Sequence, residues 1–307
     1  MATSVVKNVK KNQQQVAPTD LPPDMLQEIF LKLPVKSLIR FKGFLLLQND
    51  VPEPVLVLCN PAMGSHTIVP YPDNFWNVDF YLSCSFRGGV VYDKFNDDYL
   101  VILGSVQVNG NVIIRKPQWK VFSVRTNSWK DIEGGDCFIP IVIHHRQLGL
   151  LYNEAIHWLA MYIGPVQRQG FVIVAFDTVT KTLSMIPLPY PQRPPDQMEL
   201  SLLGGGGCFG ICMMNNKIPE IWVMREYKVE SSWTKLNIVL PCRNLVPLCF
   251  TKSDEVVAKL DGINHLIKCS GERVLEYCGL ISCDPHPIVI MFTESLLSLP
   301  SSYRQDE

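Results

Sequence analysis

The stretch WKVFSVRTNSWKDI, residues 119–132, consists of two short apolar segments joined by a polar turn, and this unit recurs along the chain. Two further clear copies read VIVAFDTVTKTLSMI (172–186) and EIWVMREYKVESSWTKL (220–236). Weaker copies read VLVLCNPAMGSHTIVP (55–70) and HLIKCSGERVL (265–275). Short apolar runs bounded by turn residues are typical of β-strands. Each unit therefore predicts a pair of neighbouring strands.

The repeat has a period near 50 residues. Its recurring large residues are Phe122, Phe176 and Trp222 in the first strands and Trp129, Leu183 and Trp233 in the second. Several strands per unit at this period are typical of propeller blades, and at ~45 residues each the range 43–299 would hold five or six. A β-sandwich is the rival fold, since its strands also recur at short spacing. Because the tryptophans follow the blade period, we predict that Trp129, Trp222 and Trp233 pack between blades rather than stack on a ligand.

Composition and charge restrict the class of protein. The 307 residues are 47% hydrophobic and 19% charged, which excludes a wholly disordered chain. With 28 basic and 29 acidic side chains, the net charge of −1 does not indicate a nucleic-acid partner. The stretch Pro54–Pro72 lacks charge but contains four prolines, so we expect no membrane span. Ten irregularly spaced cysteines and the polar N-terminus predict a cytoplasmic or nuclear protein.

The N-terminal part differs from the rest of the chain. Residues 1–19 are polar and are predicted to form a disordered tail. In residues 20–42, apolar side chains recur at helical spacing, and Pro34 separates two segments, which predicts a short helical hairpin. The expected domains are therefore this hairpin and a β-domain over 43–299, with residues 300–307 as a C-terminal tail. The predicted fold is mainly β.

Motifs that carry chemistry are weak in this sequence. Residues 205–210, GGGCFG, fit the dinucleotide-binding pattern G-x-G-x-x-G, but Asn-Asn and Pro follow where that site needs a helix. We interpret these glycines as a tight entry into a crowded strand. The acidic stretch DKFNDD (93–98) is interpreted as a solvated turn, and the cysteine and histidine spacings favour core positions over zinc ligands. We therefore predict no cofactor, no metal site and no catalytic site.

The segment LPPDMLQEIFLKLPVKSLIRFK, residues 21–42, resembles the first half of an F-box. The remainder resembles the F-box-associated domain of the large plant F-box family, including its S-locus-type and kelch-like members. The stretches that carry this resemblance follow the family's order: GFLLL, VLCNPAMGSHTIVPYP, VYDKFNDDYLVI, WKVFSVRTNSWKDI, NEAIHWLA, VIVAFDTVTKTLSMIPLP, EIWVMREYKVESSWTKL and FTESLLSL.

The resemblance implies a non-catalytic role. Such proteins bind a Skp-type adaptor through the F-box and join a cullin-based (SCF-type) ubiquitin ligase, while the C-terminal domain selects the protein to be ubiquitinated. The partners implied are thus the adaptor and a protein substrate that the sequence does not identify. The expected adaptor contacts are the apolar stripe of the first helix and its flanks: Leu21, Pro22, Leu26, Ile29, Phe30, Leu33, Pro34 and Leu38.

The F-box resemblance stops after Lys42. The family continues there with a Cys-Val-x-Lys-x-Trp-type stretch, whereas this chain runs directly into GFLLL, and no tryptophan occurs between Phe41 and Trp76. The F-box is therefore expected to be truncated, and the sequence leaves open whether the propeller closes. Two functions stay open: a substrate receptor of the ligase, or an interaction-only protein that keeps the target-binding domain but no longer binds the adaptor. An enzyme or a lectin has no support from any residue.

Overall fold

A computed structural model of the chain describes fourteen segments. They are residues 39–41, 44–49, 55–60, 65–72, 83–109, 112–140, 149–163, 170–189, 199–215, 218–236, 245–251, 255–260, 265–270 and 273–280. The predicted tails, 1–19 and 300–307, lie outside these segments, as do residues 20–38 of the predicted hairpin.

The described residues form twenty-one strands in five antiparallel sheets. Sheet 1 contains β1 (Ile39–Phe41), β2 (Phe44–Asn49), β3 (Val55–Asn60) and β4 (Ser65–Val69). Sheet 2 contains β5 (Ser83–Asp93), β6 (Asp98–Asn109), β7 (Val112–Ser123) and β8 (Ser128–Asp131). Sheet 3 contains β9 (Phe138–Pro140), β10 (Leu150–Tyr152), β11 (Ala155–Tyr162), β12 (Gly170–Asp177) and β13 (Leu183–Pro187).

Sheets 4 and 5 follow in the same manner. Sheet 4 contains β14 (Glu199–Gly205), β15 (Cys208–Asn215), β16 (Ile218–Met224) and β17 (Trp233–Leu236). Sheet 5 contains β18 (Leu245–Phe250), β19 (Val256–Leu260), β20 (His265–Ser270) and β21 (Arg273–Leu280). Two single 3-10 turns, Gly135–Cys137 and Glu230–Ser232, precede β9 and β17.

Each sheet is a meander in which consecutive strands pair, and successive sheets pack through their first strands. In sheet 3 the first strand is divided, because β9 and β10 pair with different parts of β11. Strand β1 lies beside β5, β10 beside β14, and β14 beside β18. Five separate four- and five-stranded sheets are consistent with propeller blades, as predicted, and not with the two facing sheets of a sandwich.

The sequence repeat corresponds to the third and fourth strands of every sheet. Phe122 pairs with Trp129, and Phe176 pairs with Leu183, as their equal spacing requires. In sheet 4, however, Trp233 pairs with Met224, and Trp222 lies two pairs further along the strand, opposite Lys235. The choice of Trp222 as the equivalent residue was therefore wrong. The loop between β16 and β17 is longer than its counterparts, which shifts the spacing.

Two tryptophans join sheets 2 and 3 in the core. Trp119 and Trp158 are both buried, and their ring centres are 5.1 Å apart. The Trp119 Nε1–H donates to the Phe138 carbonyl at 2.9 Å, and the Trp158 Nε1–H donates to the Gly88 carbonyl at 3.1 Å. Each indole thus reaches the backbone of the other sheet, which satisfies its only polar group inside an apolar contact.

The prediction of a helical segment over residues 20–42 differs from the structure at its C-terminal end. Ile39–Phe41 is strand β1, and Phe41 pairs with Phe44 across a two-residue connection. Alternating β-branched and aromatic residues suit a strand, and the apolar run that begins at Phe44 supplies a partner. The structure therefore assigns these three residues to the β-domain.

Candidate functional site

The eight residues predicted to contact an adaptor, Leu21 to Leu38, lie outside the described residues. Their role stays a prediction. The structure does describe one end of sheets 2–4 in detail. In an antiparallel meander the first and third connections lie at the same end of the sheet. We call this end the turn face, and its turns comprise residues 94–97, 124–127, 153–154, 178–182, 206–207 and 225–232.

Asp93 connects sheets 2 and 3 at the turn face. Its carboxylate is 1% exposed and accepts hydrogen bonds from the Phe95 backbone N–H at 3.1 Å, from Asn96 Nδ2 at 2.6 Å, and from Lys181 Nζ. Burial alone would raise the pKa of Asp93, but the hydrogen bonds from Asn96 and Lys181 outweigh burial and hold the pKa below its ordinary value. A buried, ionised carboxylate thus pairs with a lysine from the neighbouring sheet.

Asp98 links the turn between β7 and β8 to the turn between β5 and β6. It is buried at the start of β6, where it accepts hydrogen bonds from the Ser123 hydroxyl and from the Arg125 backbone N–H, the latter at 2.8 Å. The Arg125 guanidinium in turn donates to the Asn96 carbonyl at 2.5 Å. The interpretation of 93–98 as a solvated turn is therefore correct only for residues 94–97, since Asp93 and Asp98 point inward.

The turns between the third and fourth strands repeat one hydrogen-bond pattern. In sheet 2 the Thr126 backbone N–H donates to Ser123 Oγ at 3.0 Å, and in sheet 3 the Thr180 backbone N–H donates to Asp177 Oδ1 at 3.0 Å. Burial would raise the pKa of Asp177, but hydrogen bonds from backbone N–H groups outweigh it and lower the pKa. A short polar residue at the end of a third strand is thus a sequence signal for these turns.

His157 lies between sheets 3 and 4 and is completely enclosed. Its Nδ1 lies 3.0 Å from the Leu150 carbonyl, which only accepts, so Nδ1 carries the proton. Its Nε2 therefore accepts from the Tyr227 hydroxyl, 2.7 Å away. Burial, reinforced by the charge of Lys228, lowers the pKa of His157 to about 4. An enclosed, neutral imidazole has no access to a substrate, so its role is structural.

Aromatic rings surround this histidine. The Tyr152 ring stacks on Phe209 with centres 5.2 Å apart, and the His157 ring lies 4.6 Å from Phe209. The Tyr152 hydroxyl donates to the Gly207 carbonyl at 3.0 Å, which ties the first turn of sheet 3 to that of sheet 4. The 205–210 glycine motif spans this hairpin turn, and strand β15 begins within it at Cys208, where a dinucleotide site would need a helix. The interpretation of these glycines as a tight entry into a crowded strand is confirmed.

The tryptophans predicted to be structural do connect sheets. Trp129 Nε1 donates to the Pro70 carbonyl at 2.6 Å, and Trp233 Nε1 donates to the Pro187 carbonyl at 3.0 Å. Each proline follows or ends the last strand of the preceding sheet. Trp222 packs against the core that sheets 3 and 4 share. These contacts confirm that all three residues pack in the structure, as predicted.

The described segments contain neither a metal-binding cluster nor a membrane-spanning helix. Within them, no group of three or more His, Cys, Asp or Glu side chains is placed to hold a metal ion. The helices found there are too short and too polar to cross a membrane.

The family of the chain follows from comparison with known sequences. A sequence model of the F-box associated beta propeller domain matches residues 2–278, which is most of the chain. The chain belongs to this family. Its five antiparallel sheets and their sequential packing agree with a propeller domain of this kind.

Relatives in Arabidopsis thaliana are F-box proteins. F-box protein CPR1 is 28% identical over 166 residues, which are 48% of this chain and 39% of the relative. F-box protein At4g22390 is 28% identical over 211 residues, 64% of this chain and 50% of the relative. F-box/WD-40 repeat-containing protein 1 is 24% identical over 323 residues, 82% and 77% of the two chains. The chain spans half or less of the length of the first two.

Proposed function

We propose that this F-box-associated propeller protein is the substrate-recognition subunit of an SCF-type ubiquitin ligase. The observation that carries the proposal is the family match over residues 2–278, together with relatives that are F-box proteins. The N-terminal segment would bind a Skp-type adaptor, and the β-domain would bind the target protein, in the cytoplasm or nucleus. The chain itself catalyses nothing: it raises the concentration of the target near the charged conjugating enzyme.

Adaptor binding is assigned to the apolar stripe of the N-terminal segment. Each aliphatic side chain buried there would contribute about 1.5–3 kcal/mol. The test is co-precipitation of a purified Skp-type adaptor with the full chain. We expect binding that Ile29→Asp abolishes and that Gln27→Asp, which lies off the stripe, preserves. Equal recovery of the adaptor with Ile29→Asp would remove the stripe from the interface.

The second candidate is an interaction-only protein that binds a target without the adaptor. It is favoured by strand β1, because Ile39–Phe41 belong to sheet 1 and are not available to a second F-box helix. Stable interfaces usually bury more than ~1,000 Å², which a shortened helical segment reaches with difficulty. Absence of adaptor binding by the unmodified chain, with target binding intact, would favour this candidate over the ligase subunit.

A further inference from the structure

Two apolar side chains stand exposed at the turn face, on neighbouring sheets. Phe95 is 65% exposed in the turn between β5 and β6, and Val179 is 58% exposed in the turn between β12 and β13. Single exposed apolar residues are common on protein surfaces. Here, however, Lys181 binds Asp93, so the turns that carry Phe95 and Val179 are fastened to one another.

Four turns are fixed together around these two side chains. Arg125 donates to the Asn96 carbonyl, and Lys94 Nζ lies 2.6 Å from Glu154 Oε1. We call residues 93–98, 123–128, 153–154 and 177–182 the turn platform. Because hydrogen bonds and ion pairs hold its turns before any partner arrives, binding would require little ordering of the backbone. Exposed aromatic anchors on rigid supports are typical of binding hot spots.

The charged side chains of the turn platform differ in how far they are exposed. The carboxylates of Asp93, Asp98 and Asp177 point inward and accept hydrogen bonds from the turns themselves. Among the cations, Lys181 is bound to the buried Asp93, whereas Lys94 and Arg125 are exposed, and Lys94 Nζ lies 5.4 Å from the Phe95 ring centre.

Two acidic side chains are also exposed on the turn platform, and both have partners. Glu154 binds Lys94, and Asp97 accepts from the Tyr92 hydroxyl at 2.6 Å. Within the described part of the chain, the Arg125 guanidinium makes a single hydrogen bond, to Asn96, which leaves N–H groups for a partner carboxylate.

We propose that the turn platform is a docking site for a protein segment that presents a large apolar side chain beside carboxylates. The apolar side chain would pack on Phe95 and Val179, and the carboxylates would bind Arg125 and Lys94. This inference rests on the proposed role of the β-domain in target recognition and names the chemistry of the target segment. It does not involve the adaptor, so its failure is distinguishable from failure of adaptor binding.

The test is selection of a phage-displayed random twelve-residue peptide library on the purified full chain. Enriched peptides are then synthesised and titrated by fluorescence polarisation. We expect them to combine Phe, Leu or Trp with neighbouring Asp or Glu. Their affinity should fall at least tenfold for Phe95→Asp and three- to tenfold for Arg125→Glu, and it should weaken with added salt.

The matched control is Ile68→Asp, which changes an apolar side chain that is 42% exposed on β4 of sheet 1. It should bind the selected peptides as the unmodified chain does. Because Phe95 is exposed, Phe95→Asp should melt at the parent temperature, so its loss of binding is local. Lack of any enrichment, peptides without acidic residues, or equal affinity for Phe95→Asp would overturn the proposal.

Discussion

The two hydrogen bonds at the His157 ring decide how its charge affects stability. The neutral ring fits between the Leu150 carbonyl and the Tyr227 hydroxyl, and the folded protein keeps its pKa at about 4, against 6.5 for an ordinary histidine. The unfolded chain therefore binds the proton more readily. The stabilising contribution is fully present above pH 6.5 and declines as the pH falls towards about 4.

We expect the His157 contribution to fall by about 2 kcal/mol between pH 7 and pH 5. His157→Gln, which stays neutral, should be less stable at pH 7 but should lose correspondingly less on acidification. His66→Gln, at an exposed position, should retain the full decline. Urea unfolding at both pH values measures the difference. An equal loss in His157→Gln and the parent would show that the buried ring does not titrate as described.

The environment of Asp93 could not be read from the sequence. Its short-range neighbours predict a turn, and the turn is present, but the group that compensates its burial is Lys181, 88 residues away. Such long-range pairs leave no local pattern. In contrast, Ser123 and Asp177 bond within three residues, and their equivalent positions in two repeats were a signal for ordered turns.

At the scale of elements, the glycines of β14 and its turn are fitted to close neighbours. Gly205 has φ +120°, and a Cβ added there would lie 2.5 Å from the Phe250 carbonyl oxygen of sheet 5. Gly207, two residues on, has φ +88° with open space around it. Gly205 is therefore required both by its positive φ and by the close approach of sheet 5, whereas Gly207 is required only by its positive φ.

We expect Gly207→Ala to cost about 1–2 kcal/mol of stability through backbone strain alone. Gly205→Ala should cost about 1–3 kcal/mol more, because a backbone carbonyl cannot move aside as a side chain would. Chemical denaturation followed by tryptophan fluorescence compares the two variants. Similar losses would indicate that β14 and β18 separate easily, and that the approach of sheets 4 and 5 is not tight.

The strand pairs were predictable because each unit contains its own apolar segments and turn. The prediction was wrong for Trp222, because it inferred the strand partner from sequence spacing alone. The loop between β16 and β17 is longer than in the other repeats, so the residue that pairs with Trp233 is Met224. The prediction also differed from the structure at Ile39–Phe41. These three residues fit the end of a helical apolar pattern and also fit a short strand, so the sequence alone does not distinguish the two. There the strand forms because Ile39–Phe41 pair with one edge of β2.

At the scale of the whole molecule, the sequence predicted five or six blades, and the described residues form five sheets. The order of the sheets follows the chain because each first strand packs against the next. Strand β1 therefore has two neighbours: it pairs with β2 and lies beside β5 of sheet 2. It is short, yet it covers one edge of the apolar strand β2, whose Leu46 is buried.

The contribution of β1 can be isolated by two truncations that differ by four residues, 39–42. A chain that starts at Ile39 keeps β1, whereas a chain that starts at Gly43 leaves the edge of Phe44–Asn49 unpaired. Unpaired apolar strand edges pair with other chains. We expect the shorter chain to self-associate and melt at a lower temperature than the longer one, as measured by size-exclusion chromatography with light scattering and by thermal melting. Should both truncations be equally monodisperse and equally stable, β1 would be dispensable for sheet 1, and Ile39–Phe41 would be free to serve the N-terminal segment instead.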